Sequence, residues 1–153
     1  VKRHPDVELV YKPILVGGIF NKVNPSVYEA RRATPVKPKV AYSNKDLQEW
    51  AAAYGLQICS PYEPDPEKRV KPFPVNSVKA LRGAGFAQQA GRFLDYSYRV
   101  FHAYWGQRRD ISQDAQLRAI AAESGLNADA FMTYIATPEA KKLVTDNTDE
   151  VMQ

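Results

Sequence analysis

The stretch VFHAYWGQRRDIS, Val100 to Ser112, gathers three aromatic side chains, one imidazole and two guanidinium groups into thirteen residues. An imidazole can ligate a metal or move a proton, but His102 has no cysteine, second histidine or carboxylate at metal-ligand spacing. The motif therefore carries no zinc site. Val100 and Tyr104 continue a buried helical stripe with Phe101 at its edge, while His102 and Trp105 point to neighbouring faces. Gly106 is expected to end this helix and Ser112 to cap the next. Arg108 and Arg109 read as neutralising a helix C-terminus or facing solvent. Cys59 is the only cysteine. It excludes an internal disulfide, a C-x-x-C pair and a cysteine zinc cluster within the chain, and with prolines around it and no nearby base it reads as an inert thiol. Gly83, Gly85 and Gly91 approach a dinucleotide-binding spacing without meeting it, and no strand precedes them.

Elements must hold these residues, and 153 residues suffice for one domain with an ordinary core. With 44% apolar and 25% charged residues the composition is globular. The net charge of +4 is scattered rather than gathered into a stripe, which argues against a nucleic-acid surface. No apolar run approaches the roughly 20 residues of a membrane helix. A lone cysteine suits a reducing compartment, so a cytoplasmic location is expected. Position 1 is Val and the chain stops at TDEVMQ, which reads as a segment of a longer protein.

VELVYKPILVGGIF alternates and then runs apolar, with β-branched Val7, Val10, Ile14 and Val16, so one N-terminal strand entering a Gly17-Gly18 turn is expected. From Asn21 to Lys39, Pro25, Pro35 and Pro38 sit among polar and basic residues, and a loop is expected. Ser43 or Asn44 would cap a first helix over about 44 to 54, closed by Gly55. Asn76 caps the next. Phe93, Tyr96, Val100 and Tyr104 then fall on one stripe, Ser112 opens a helix closed by Gly125, and Asn127 and Thr137 cap the last two, the latter with Pro138 in the first turn. Gly83, Gly85 and Gly91 allow close helix packing.

In this order, YKPILVGGIFNKVNPS, KVAYSNKDLQEWAAAYGL, FPVNSVKALRGA, VFHAYWGQRRDIS and LRAIAAESGLNADAF resemble the 2-hydroxychromene-2-carboxylate isomerase family, which is related to kappa-class glutathione transferases and DsbA-type oxidoreductases. The resemblance implies an α/β thioredoxin-like fold with an inserted all-α domain. The chain would supply the second strand in residues 1–20, a proline-rich ligand loop in 21–43 and the inserted helical domain in 44–153. It implies a glutathione-dependent isomerase acting on an aromatic carboxylate, with glutathione as cofactor and a possible homodimer. No metal, nucleic acid or membrane is expected. The catalytic thiol-facing residue would precede Val1, so none is named. Asn24 would pair with the peptide backbone of glutathione, and Lys39 would meet a carboxylate of glutathione or substrate, with Lys37 as its alternative. Trp50, one turn from Tyr54 on a face whose spacing also suits a core, would touch the substrate. A DsbA-like thiol-disulfide oxidoreductase and a non-catalytic helical interaction module are the alternatives.

Overall fold

The computed structural model describes residues 4, 6–24, 26, 36–59 and 75–153. Pro25 and Pro35 lie outside them. Helix α1 spans Val16–Val23, α2 Lys37–Ala53, α3 Val78–Gln89 and α4 Phe93–Phe101. A π turn follows at His102–Gly106, then α5 at Asp114–Glu123, α6 at Ala128–Ala136 and α7 at Pro138–Glu150.

Among the described residues there is no strand. Where a strand was expected, residues 7–15 run without regular structure and 16–23 are helical. The physical reason lies in the spacing: Val16, Ile19, Phe20 and Val23 recur at i, i+3, i+4 and i+7, the helical period. The residues before them find side-chain partners on the helices instead of a ladder. Leu15 N–H donates to Thr148 Oγ1 at 2.9 Å, Asn147 Nδ2 to Pro13 O at 3.2 Å, and Gln88 Nε2 to Tyr11 O at 3.3 Å. Tyr11 stacks on Phe93 at 5.0 Å, and Lys12 pairs with Glu150 at 2.6 Å.

The loop expected over 21–43 is helical at both ends. Residues 21–23 complete α1, and α2 begins at Lys37 rather than near Asn44. Pro38 stands in the first turn of α2, where its missing N–H is one that the helix leaves unpaired anyway. Ser43 and Asn44 are therefore interior positions, not caps. Gly55, at φ +65°, closes α2 as expected, with Leu56 N–H donating to Ala51 O at 2.8 Å.

Helix α3 is the centre of the bundle, packed against α4, α6 and α7. Its buried face is Ala80, Gly83, Ala84, Gly85 and Ala87, so large side chains from neighbouring helices reach its backbone. Tyr96 and Phe131 meet over Gly83, with ring centroids 5.5 Å apart, and Tyr96 donates to Ala80 O at 3.0 Å. Leu117 and Ile120 of α5, both fully buried, extend this core. Gly91 serves differently from the close-packing role expected of it: at φ +66° with nothing near it, it only turns the chain between α3 and α4. The N-cap residue of α3 is Ser77 rather than Asn76, whose Oδ1 accepts from Val78 N–H at 3.1 Å, whereas Asn127 caps Ala130 N–H at 3.0 Å and Thr137 caps Ala140 N–H at 3.2 Å. Ser112 does not cap α5. Gln113 holds that position, and Asp110 Oδ1 accepts from Ser112 N–H at 3.0 Å in a side-chain turn.

Two predictions follow from this core. A Cβ on Gly83 would lie 2.4 Å from Phe131 Cζ and 2.5 Å from Tyr96 Oη. Gly83→Ala is thus expected to destabilise the fold by roughly 1 to 3 kcal/mol through overpacking, read from urea denaturation midpoints. Burial also pushes the Tyr96 phenol well above its usual range. Below about pH 10 this group leaves stability unchanged; above it the unfolded chain releases a proton that the folded chain keeps, so stability falls as pH rises. Tyr96→Phe should flatten that alkaline loss while lowering stability at neutral pH by about 0.5 to 1.5 kcal/mol for the hydrogen bond to Ala80.

Candidate functional site

Two apolar cavities lie on either face of the α4–π-turn rod and share Phe101 and Trp105 as lining. The first, about 540 Å³, is a cleft between the α1 segment (Ile14, Leu15, Phe20), the start of α3 (Val78, Leu81) and Tyr104. The second, about 500 Å³, lies between Leu47 of α2, the segment 55–58, and Tyr98 and His102. Both fall within the roughly 300 to 1,000 Å³ of small-molecule sites.

The π turn shapes the second cavity. Gln107 N–H reaches five residues back to His102 O at 3.0 Å, and Arg109 N–H reaches Ala103 O at 2.8 Å. Trp105 on this turn is half-buried, packed against the core and edge-on to Tyr104, and lines both cavities. Gly106 is the last residue of the π turn, as expected, with Gln107 as its C-cap residue. The last carbonyls of a helix need outside donors, and Cys59 supplies two. Its backbone N–H donates to Trp105 O at 2.6 Å and its thiol to Gly106 O at 3.3 Å. Gly106 is buried because a Cβ there would lie 2.9 Å from His102 Cδ2 and 3.2 Å from Gln57 O. The absent side chain lets the imidazole and the 57–59 backbone close on one another. Such π turns recur at functional sites.

His102 stacks on Tyr98 with centroids 6.0 Å apart and planes 8° from parallel. Among the described residues no group hydrogen-bonds its imidazole. Arg109 is structural: its guanidinium bonds Gln116 Oε1 at 2.7 Å and Glu123 at 3.2 Å. Arg108 holds a left-handed backbone at φ 56° in the bend after the π turn. Among the described residues no group of three or more histidine, cysteine or acidic side chains could hold a metal, and no helix is long and apolar enough to cross a membrane.

The residues singled out from the sequence are not brought together. Asn24 is the C-cap residue of α1, its Oδ1 accepting from the Ser26 hydroxyl. Lys39 is exposed in the first turn of α2. Trp50 is 57% exposed and stacked on Tyr54 at 5.9 Å, so this pair is not the core face that its spacing also allowed. None of the three lines either cavity. The sequence reading missed Tyr98 and Leu47 as lining; the available signal was the i, i+4 pair Tyr98 and His102, off the buried stripe of α4.

Gly106→Ala is expected to push the imidazole or the Gln57 backbone aside and to cost roughly 1 to 3 kcal/mol of stability. It should also loosen the Cys59 hydrogen bond, so that a disulfide reagent labels Cys59 faster in the variant than in the wild type.

Comparison with known protein families gives one match, the DSBA-like thioredoxin domain, over residues 1–153. No curated protein shows significant similarity to the chain. The family match spans the whole sequence, strandless segment and helical bundle alike, and on that ground the chain belongs to the DSBA-like thioredoxin domain family.

Proposed function

We propose that the protein is a glutathione-dependent isomerase of an aromatic carboxylate, similar in chemistry to 2-hydroxychromene-2-carboxylate isomerases. Members of the DSBA-like family are generally enzymes, oxidoreductases, isomerases or transferases. The observation that carries this narrower reading is the cleft of about 540 Å³ walled by α1, the helix whose C-cap residue is Asn24. Its apolar and aromatic lining suits a flat conjugated substrate and excludes water from it.

Glutathione, when bound, supplies a thiolate whose reversible addition to a conjugated double bond lets that bond turn as a single bond. The chain's own residues bind and orient. Asn24 keeps its amide N–H groups to donate to a peptide carbonyl, since only its oxygen is engaged, by Ser26. Lys39, with Lys37 in the same first turn and no acidic residue there, adds to the positive end of α2 and favours a carboxylate. Trp50, exposed beyond both cavities, would reach a substrate only at the rim of the site.

The second reading, a thiol-disulfide oxidoreductase, is favoured by the family itself. Cys59 gives it no dithiol, being the one cysteine of the chain, with its thiol on the Gly106 carbonyl.

The test is calorimetric titration of the protein with glutathione, alongside an assay of 2-hydroxychromene-2-carboxylate isomerisation. Turnover should require glutathione. Lys39→Ala should weaken binding by at least about tenfold and Asn24→Ala by a smaller factor, because a bond to a charged group contributes roughly 1.5 to 3 kcal/mol against 0.5 to 1.5 for a neutral one. The Lys39 effect should shrink at high salt. Neither variant should shift the melting temperature by more than a degree or two, as both residues are exposed. Isomerisation undiminished without glutathione, or rapid dithiol reduction of insulin, would remove the isomerase reading.

A further inference from the structure

A third cavity, of about 450 Å³, lies between the start of α1, helix α3 and helix α7. It shares Leu15 and Val78 with the cleft assigned to the substrate and nothing with the π-turn cavity. No aromatic side chain lines it, and its apolar wall is aliphatic: Leu15, Val78, Val144 and Met152. Its polar side is unusual. Arg82 is half-buried there, and its guanidinium keeps its charge at any working pH. Yet Arg82 Nε is buried with no hydrogen-bond partner among the described residues, and Nη1 meets only Ile135 O, at 3.4 Å. Arg99, Arg109 and Arg118, by contrast, each have a carboxylate at 2.6 to 3.2 Å. A charge held partly out of water with neither counter-ion nor full hydrogen bonding is costly, so this position lacks an acceptor. Lys141 lines the same cavity and forms no ion pair among the described residues, whereas the next residue, Lys142, pairs with Asp146 at 2.6 Å. The hydroxyls of the lining are already engaged: Thr145 Oγ1 donates to Lys141 O at 3.1 Å and Thr148 Oγ1 to Val144 O at 2.6 Å. Asp149 also lines the cavity, exposed and joined to neither cation by an ion pair. Two cations against one carboxylate leave a net positive site.

We propose that this cavity binds an aliphatic carboxylate, its oxygens accepting from the Arg82 guanidinium and facing the Lys141 ammonium, with its alkyl chain on Leu15, Val144 and Met152. The head group fits because a guanidinium offers donors in the fork that a carboxylate accepts, and the Lys141 ammonium adds a point charge. A single negative charge matches the site better than a double one, since Asp149 repels each added charge. The tail fits because the wall is aliphatic, and burying an alkyl chain against it removes apolar surface from water. The volume lies within the range of small-molecule sites. The ligand is of a different class from the aromatic acid of the isomerase reading, and the site needs no glutathione, so it goes beyond that reading.

The experiment is titration calorimetry with octanoate in the absence of glutathione, on the wild type and on four variants, with octanol and octyl phosphate as comparison ligands. The wild type should bind one equivalent of octanoate saturably, octanol at least tenfold more weakly, and octyl phosphate no more tightly than octanoate. Arg82→Gln should weaken octanoate binding by about tenfold or more. Lys141→Ala, at an exposed position, should weaken it several-fold with an unchanged melting temperature, and the loss should shrink at high salt. Asp149→Asn should strengthen binding, because it removes the one opposing charge. Lys142→Ala, beside the site but paired elsewhere, should bind as the wild type does. Should Arg82→Gln lower the melting temperature, Lys141→Ala, Asp149→Asn and the octanol comparison still decide. Absence of saturable binding, equal affinity for octanol, tighter binding of octyl phosphate, or wild-type affinity in Lys141→Ala would each overturn the site. Octanoate binding with this variant pattern in a protein that fails the isomerase assay would uphold the site while removing the isomerase reading, so the two failures are distinguishable.

Discussion

Phe131 and Tyr96 converge on Gly83 closely enough that not even one methyl group could stand between them and the α3 backbone. That contact fixes where α3, α4 and α6 sit relative to one another. Gly85 repeats it two residues on, where a Cβ would lie 2.4 Å from Leu143 of α7. A helix with glycines inside it gives up roughly 1 kcal/mol of intrinsic propensity at each. Here the loss is offset by burial of whole aromatic and aliphatic side chains, each contributing roughly 1.5 to 3 kcal/mol. The bundle is organised around its smallest residues, and the α4–π-turn rod inherits its position from them.

This arrangement explains why the interesting chemistry lies on α4 and not on α2. Tyr96 and Tyr104 anchor one side of the rod in the core, which leaves Tyr98, Phe101 and His102 on the other. A side chain mounted on a rigid, packed element holds its geometry better than one on a loop. Lys39 and Trp50 stand on a helix with a single buried residue, Ala51, so their positions owe little to the core.

Local signals with a one-to-one physical cause were legible in the sequence. Asn127 and Thr137 cap because their side-chain oxygens reach a free N–H three residues on, and Gly55 and Gly125 end helices because only glycine adopts their backbone cheaply. The stripe Phe93, Tyr96, Val100, Tyr104 was equally plain. Three features were not. Residues 7–20 carry two overlapping periods, and β-branched composition outweighed the helical spacing that begins at Val16. Pro38 counts as a breaker in a proline-rich stretch, although a first-turn proline favours a helix start. The π turn has no composition of its own: the carbonyls at the end of HAYWG are taken by Cys59, more than forty residues earlier, and such long-range pairing is invisible to local patterns. Of the candidate sites, the family resemblance pointed to the loop and to α2, whereas the cavities follow from tertiary packing.

The near absence of buried residues in α2 carries a thermodynamic consequence. Seventeen residues of helix with only Ala51 in the interior, and with Val40, Tyr42, Leu47, Trp50 and Tyr54 all exposed, have little tertiary energy to hold them. Their backbone amides are protected mainly by helical hydrogen bonds, so α2 is expected to open in sub-global fluctuations that leave the α3–α7 bundle intact. Amide hydrogens over Lys37–Ala53 are then expected to exchange ahead of those in α3, as two cooperative units of unequal stability would. The Leu47 wall of the π-turn cavity belongs to the weaker unit. A ligand that bridged Leu47 and His102, and bound only while α2 was folded, would couple the two units, raising the protection of α2 by RT ln(1 + [L]/Kd).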